Sequence, residues 1–155
     1  MSKTIVVPLD GTVTSERIVP YAVALARMGS ELLLVRVPVI PQPVLENPLV
    51  DDAYREKYKA RVQVGILSYL DEWRERLEAQ GCKVRTRLID GDPVEQIAAL
   101  TKSEKASAVL LCTQTRSEIG RESAFAKGIC RAVECPTLLL SLPTQTEATA
   151  SCFSR

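Results

Sequence analysis

The residues best suited to bind an anion or a polar ligand follow two apolar segments of the chain. Asp10 comes directly after the apolar run 5–9. A carboxylate at that place either holds a nucleobase or a ribose, or closes an Asx turn at the end of a strand. A second set supplies hydroxyl and guanidinium groups after the apolar run 108–111, and it comprises Thr113, Thr115, Arg116, Ser117 and Arg121. These side chains either bind a phosphate or another anion, or form a solvated polar loop.

The chain contains no histidine, and this excludes the commonest routes to hydrolytic chemistry. Neither a Ser-His-Asp nor a Cys-His nucleophile can be assembled, and metal sites with histidine ligands are excluded as well. We therefore expect a non-catalytic protein with no metal site.

Five cysteines, an odd number without a C-x-x-C pair, predict reduced thiols in a cytoplasmic protein rather than a disulfide framework. Cys112 is either a redox-sensing thiol or a small apolar residue at the end of a strand. For Cys130 and Cys135 we predict packing in the core.

The composition is that of an ordinary globular domain. The chain has 155 residues, of which 46% are hydrophobic and 25% charged, with a formal net charge of +1. This length fits a single domain. Positive and negative residues are mixed and their charges nearly cancel, so the sequence gives no sign of a nucleic-acid-binding surface. The first apolar run is too short for a signal peptide, and no segment approaches the length of a membrane span.

Short apolar runs alternate with segments of helical periodicity along the chain. The runs predict strands at 5–9, 32–37, 84–89, 108–111 and 136–142. Helices are predicted at 15–28, at 51–80, from Pro93 onward with Asp92 as the capping residue, and at 123–133. Segments 38–48, with four prolines, and 112–122 are predicted loops, and 143–155 a disordered tail. Strands alternating with helices predict an α/β fold with a parallel sheet covered on both faces.

Three stretches together resemble the universal stress protein family over about residues 3–142. They are I-V-V-P-L-D at 5–10 with S-E-R at 15–17 and P-Y-A at 20–22, G-D-P at 91–93, and C-P-T-L-L-L at 135–140. The resemblance implies one domain over residues 1–142 with a Rossmann-like, adenine nucleotide alpha hydrolase-like fold. Its five-stranded parallel sheet would have the order 3-2-1-4-5 and helices on both faces. Ligands would bind outside the carboxyl ends of the strands, where the winding reverses.

The chain departs from the family pattern where ATP-binding members hold the phosphates. Those members carry a G-x-x-G-x9-G-[ST] loop after the fourth strand, whose glycines let the backbone approach the anion. Here Cys112 and Thr115 stand at the first two glycine positions, the loop is two residues shorter, and Ser123 and Ala124 replace the final Gly-Ser pair. ATP or AMP binding is therefore expected to be weak or lost.

The chain matches the family pattern better at the positions that contact adenine than at those that contact the phosphates. Asp10 and Val37 match the positions whose polar atoms contact the base in ATP-binding relatives. The candidate residues for nucleotide or anion binding are accordingly Pro8, Leu9, Asp10, Val37, Thr113, Thr115, Arg116, Ser123 and Ala124.

The fifth strand is expected to form a homodimer. By the family's strand order it lies at an edge of the sheet, and its residues Thr137, Leu138, Leu139 and Leu140 include no charge that would block pairing. Three classes of function stay open: a non-catalytic stress-response module acting as a dimer, a sensor for a nucleotide or another anionic ligand, and, ranked last, a slow nucleotide hydrolase.

Overall fold

The computed structural model describes residues 3–38, 42–115 and 124–143, and strands alternate with helices over these ranges. The strands are β1 (Lys3–Pro8), β2 (Ser30–Arg36), β3 (Lys83–Leu88), β4 (Ala108–Thr115) and β5 (Thr137–Pro143). The helices are α1 (Val13–Glu16), α2 (Val19–Ala26), α3 (Gln42–Glu46), α4 (Asp52–Glu78), α5 (Pro93–Ser103) and α6 (Ala124–Ala132).

The strands form one parallel sheet in the order β3-β2-β1-β4-β5. The predicted fold class and strand order are therefore confirmed. The central segments of β1, β2 and β4, at 5–8, 32–35 and 108–112, are apolar without interruption because the sheet is covered on both faces, and Val6, Val7 and Leu33 are fully buried.

Each face of the sheet has its own apolar cluster. The first cluster joins the sheet to α2 and α4 and is centred on Val7, Ile18 and Leu70. The second joins the opposite face to α5 and α6 through Ile97 and Ile129. Within the described ranges, no helix combines the length and the apolar character needed to cross a lipid bilayer.

The predicted helix starts rest on capping hydrogen bonds. The carboxylate of Asp51 accepts the amide proton of Tyr54 at 2.6 Å, which caps α4. The carboxylate of Asp92 accepts the amide proton of Glu95 at 3.0 Å, and Pro93 is the first residue of α5. Both contacts satisfy amide groups that have no partner inside the helix.

The single helix predicted at 15–28 is wrong, because the structure has two helices here, α1 and α2. Pro20 explains the break. It has no amide proton to donate to the carbonyl of Glu16, and its ring excludes that carbonyl from the usual helical position. The first helix also begins earlier than predicted, at Val13, because the side chain of Thr12 caps it by accepting the amide proton of Ser15.

Two predicted loops contain regular structure. A short helix, α3, lies within 38–48. Strand β4 continues four residues beyond 111 because β5 runs alongside it as far as Pro143, which pairs with Thr115. Cys112 and Thr113 therefore lie on a strand and not in a loop. Pro143 belongs to β5, and the rest of the predicted tail lies outside the described residues.

Helix α6 approaches α5 closely at Gly128. A Cβ atom added to this glycine would lie 2.9 Å from Cγ2 of Val94, below the distance that real Cβ contacts show. Valine is branched at Cβ and cannot turn its methyl group away freely. Gly128 thus sets the distance between the two helices.

Gly128→Ala is expected to destabilise the protein by about 1–2 kcal/mol, since the overpacking at Val94 outweighs the higher helix propensity of alanine. The matched control is Gly65→Ala in α4, where an added Cβ would meet no atom within 4 Å. The control is expected to stabilise by up to about 1 kcal/mol. Urea unfolding of both variants measures the difference, and equal effects of the two substitutions would contradict the close contact.

Candidate functional site

The sheet opens between β1 and β4 at their carboxyl ends. Strand β1 pairs with β2 as far as Pro8, but it pairs with β4 only at Ile5 and Val6. Pro8 explains this difference. Backbone groups of alternate residues point to alternate sides of a strand, and the Thr4 carbonyl faces β4, where it accepts the Ser107 amide proton at 2.8 Å. Pro8 has the same parity as Thr4, so the amide proton that proline lacks is one that would have faced β4.

A cavity of about 580 Å³ occupies this opening, where the order of the strands reverses. Its sheet-side wall is formed by Pro8, Leu9, Val35, Val37 and Leu111. Helices α5 and α6 add Pro93, Ile97 and Phe125. The polar groups lining it are Asp10, Thr12, Thr14, Ser15, Cys112 and Thr113.

Asp10 closes a tight turn at the edge of the cavity. Its Oδ1 atom accepts the amide proton of Thr12 at 2.8 Å and the hydroxyl proton of Thr12 at 2.5 Å. The Asx turn considered as one role of Asp10 is therefore present, and the same carboxylate lines the cavity. The two roles left open for this residue are compatible.

The environment of Asp10 favours its ionised form. Burial by itself raises the pKa, but the hydroxyls of Thr12 and Ser15, the amide of Thr12 and the charge of Arg36 outweigh burial and lower the pKa below its usual range. Asp10 is thus a charged hydrogen-bond acceptor at neutral pH.

The turn is supported from α4 and from the end of β2. The Tyr69 hydroxyl donates to Oε1 of Glu16 in α1 at 2.8 Å, and burial raises the pKa of Tyr69, so that the hydroxyl keeps its proton. The Arg36 guanidinium lies over the Tyr69 ring, 5.2 Å from its centroid. It also lies against Gly11, which has φ +83° and where a Cβ atom would come within 2.9 Å of Nη1 of Arg36. Only glycine adopts this positive φ at little cost and also leaves room for the guanidinium group.

Strand β4 presents Cys112 and Thr113 to the cavity. Burial raises the pKa of the Cys112 thiol, and the charge of Arg17 offsets this only in part. A thiol that stays protonated is a poor nucleophile, so the structure favours the apolar interpretation of Cys112 over the redox-sensing one. Cys135 is half-buried against the second cluster, but the prediction for Cys130 is wrong, because it lies on the exposed side of α6.

The structure brings five of the nine candidate binding residues together. Pro8, Leu9, Asp10, Val37 and Thr113 all line the cavity. The other four do not join them in the described part of the chain. Ala124 begins α6 without lining the cavity, the backbone of Thr115 ends β4, and Arg116 and Ser123, with Ser117 and Arg121, lie outside the described residues.

Phe125 is the cavity residue that the sequence analysis missed. It precedes Ile129 and Val133 by one and two helical turns, and both of these are buried in the second cluster. Apolar residues spaced by four lie on one face of a helix. Extending this spacing back to position 125 would therefore have indicated an aromatic side chain over the cavity.

Among the described residues, no group of three or more histidine, cysteine, aspartate or glutamate side chains is placed to hold a metal ion.

A parallel α/β sheet with a cavity at the reversal of strand order defines a Rossmann-like domain. The Universal stress protein family matches residues 1–141. The chain therefore belongs to the universal stress protein family. The search against curated proteins gives no match.

Solved structures of other universal stress proteins share the fold. A family member from Burkholderia pseudomallei is 21% identical, with a TM-score of 0.72 and coverage of 89% of this chain and 95% of that chain. A universal stress protein in complex with cAMP is 20% identical, with a TM-score of 0.63 and coverage of 90% and 97%. A family member from Arabidopsis thaliana with AMP bound is 14% identical, with a TM-score of 0.65 and coverage of 94% of each chain.

The pKa of Asp10 predicts a pH-dependent contribution to stability. Because this pKa is lower in the folded than in the unfolded chain, the carboxylate stabilises the fold above about pH 4. The contribution is lost as the pH falls through the pKa of the folded state. Asp10→Asn is therefore expected to lower the free energy of unfolding at pH 7 by about 0.5–1 kcal/mol, and by less at about pH 3.

Urea unfolding of wild type and variant at both pH values measures this effect. Asp71→Asn is the matched control, since Asp71 forms a solvent-exposed ion pair with Arg74 on α4. It is expected to change the free energy of unfolding by less than about 0.5 kcal/mol. A loss for Asp10→Asn of the same size at pH 7 and pH 3 would contradict the argument.

Proposed function

We propose that this universal stress protein is a non-catalytic regulatory module that binds an adenine nucleotide or a related small ligand and acts as a homodimer. The observation that carries the proposal is the cavity at the reversal of strand order, lined by both Asp10 and Val37. Among the functions left open by the sequence, the cavity favours a ligand sensor. The relatives solved with cAMP and with AMP support the choice of ligand.

The phosphate side of the site supports weak binding of a triphosphate. Cys112 and Thr115, which replace two glycines of the ATP-binding pattern, pair with Leu140 and Pro143 across the β4–β5 ladder. Backbone that is extended and engaged in a sheet does not gather its amide protons around one anion. Binding through the phosphates would then depend on side chains, which lose more conformational freedom on binding.

The chemistry of the cavity supports a non-catalytic role. Among the described residues that line it, Asp10 and Cys112 are the ionisable ones. The Asp10 carboxylate is engaged by Thr12 and its pKa is lowered, whereas burial raises the pKa of the Cys112 thiol. At neutral pH the ionised Asp10 has no proton to give as a general acid, and the protonated Cys112 thiol is not an activated nucleophile. The four cysteines that the structure describes are free thiols, which supports a cytoplasmic location.

The proposed dimer uses the edge of β5 that faces away from β4. Leu138 is 53% exposed on this edge strand, whereas Leu139 and Leu140 pack against the two apolar clusters. An apolar edge strand without a charge is a surface that proteins normally cover or pair. Antiparallel pairing with the β5 strand of a second copy would add backbone hydrogen bonds along this edge.

The ligand proposal is tested by titrating the protein with ATP and AMP in a calorimeter. We expect weak binding, with dissociation constants that differ by less than about fivefold, because the base and ribose supply most of the contacts. Asp10→Asn should weaken both, and Asp71→Asn should weaken neither. Submicromolar ATP binding, tenfold or more tighter than AMP binding, would show a phosphate site that requires Arg116, and Arg116→Ala would then remove the difference. Absence of binding would overturn the ligand proposal.

The dimer proposal is tested with Leu138→Lys, which places a charge on the β5 edge without disturbing either cluster. We expect the dimer to dissociate at concentrations at least about tenfold higher than for wild type. Leu67→Lys is the matched control, because Leu67 is 47% exposed on α4. Light scattering over a concentration series measures the assembly. A wild-type monomer at tens of micromolar, or equal effects of both substitutions, would contradict pairing through β5.

A further inference from the structure

Thr113 places a buried hydroxyl group in the wall of the cavity. Thr113 is only 5% exposed and lines the cavity, and among the described residues no group forms a hydrogen bond with its hydroxyl. Buried hydroxyls nearly always have a partner, which is a protein group, an ordered water or a ligand. A cavity beside the hydroxyl has room for that partner.

Phe125 adds an aromatic ring to the lining of the same cavity. It is 37% exposed, although the next residue, Ala126, and Ile129 one turn later are buried. The close contact between Gly128 and Val94 holds this end of α6 against α5. The ring is therefore presented by a fixed helix, and an accessible aromatic face binds planar ligand groups by stacking.

The charges at the cavity disfavour an anion in the described part of its wall. Asp10 is the one charged side chain among the described residues that line it. Arg17 and Arg36 interact electrostatically with Cys112 and Asp10, but neither lines the cavity. A phosphate placed between apolar walls and the Asp10 carboxylate would lose hydration and meet a like charge.

We propose that Thr113 and Phe125 determine the specificity of the cavity, and that its ligand is an uncharged planar heteroaromatic compound of the nucleoside class. The Thr113 hydroxyl bonds to a polar atom on the edge of the ring system, and Phe125 stacks on its face. This inference rests on the proposed function, because it names the ligand class of the same cavity. The inference differs from the proposed function in one respect: it requires that the protein recognises its ligand without contacts to a phosphate group.

Adenosine is the probe for the Thr113 contact. Thr113→Val removes the hydroxyl at nearly constant volume and is expected to weaken adenosine binding about fivefold or more. The unliganded variant should be as stable as wild type or more stable, because an unpartnered buried hydroxyl is lost. Thr113→Ser, which keeps the hydroxyl, should restore affinity to within about twofold.

Thr4→Val is the matched control for this contact. Thr4 is 7% exposed in the same sheet and its hydroxyl also has no partner among the described residues, but it lies on β1 away from the cavity. The control should leave adenosine binding unchanged. A purely structural role of Thr113 would instead lower stability and leave affinity as it was.

The stacking contact is tested with Phe125→Leu, which keeps an apolar side chain and removes the ring. Adenosine binding is expected to weaken about fivefold or more. Tyr54→Leu is the control, since Tyr54 is a 55% exposed aromatic residue on α4 that does not line the cavity.

Calorimetry of adenosine and AMP with wild type and all variants separates the outcomes. Adenosine binding at least as tightly as AMP, with losses confined to Thr113→Val and Phe125→Leu, supports the inference. AMP binding tenfold tighter than adenosine, or unchanged affinities in both cavity variants, overturns the inference and leaves the proposed function standing. Absence of binding by adenosine, AMP and ATP overturns the proposed function and this inference with it.

Discussion

The site depends on the place where β1 stops pairing with β4. Strand β1 lies in the middle of the sheet, and it pairs with β4 only at Ile5 and Val6 although its pairing with β2 continues to Pro8. A proline at this position cannot donate the hydrogen bond that would face β4. The two strands separate beyond it, and the cavity fills the space that results. One missing backbone donor thus decides where the cavity lies.

The remaining elements hold the walls of this opening. On one side, the Asp10–Thr12 turn leads into α1, which the Tyr69–Glu16 hydrogen bond fastens to α4. On the other side, Gly128 lets α6 approach α5 closely enough to bring Phe125 over the cavity. Rigid helices anchored in two separate apolar clusters support both walls. A cavity with walls of this kind is preorganised, which reduces the cost of ordering side chains on binding.

The contrast between the two ends of the cavity explains why family membership alone does not fix the ligand. The β1 and β2 side keeps Asp10 and Val37 in the wall, as the family pattern implies. On the β4 side, Cys112 and Thr115 occupy the positions of two phosphate-binding glycines of the family pattern. Both residues belong to β4 and pair with β5. Strand β5, at the edge of the sheet, therefore also shapes the β4 side of the cavity.

The sequence by itself determined the parallel α/β architecture, because buried strands must be continuously apolar and helix starts need capping residues such as Asp51 and Asp92. It also identified Asp10 as a candidate site residue, because a polar residue directly after a buried strand lies at the carboxyl end of that strand. Tertiary structure alone decided the length of β4, which depends on a partner strand distant in sequence, and the exposure of Cys130, which depends on how α6 is rotated. It also decided that Thr113 and Phe125 line one cavity, because the pairing of β4 with β5 places the first and the packing of α6 against α5 places the second.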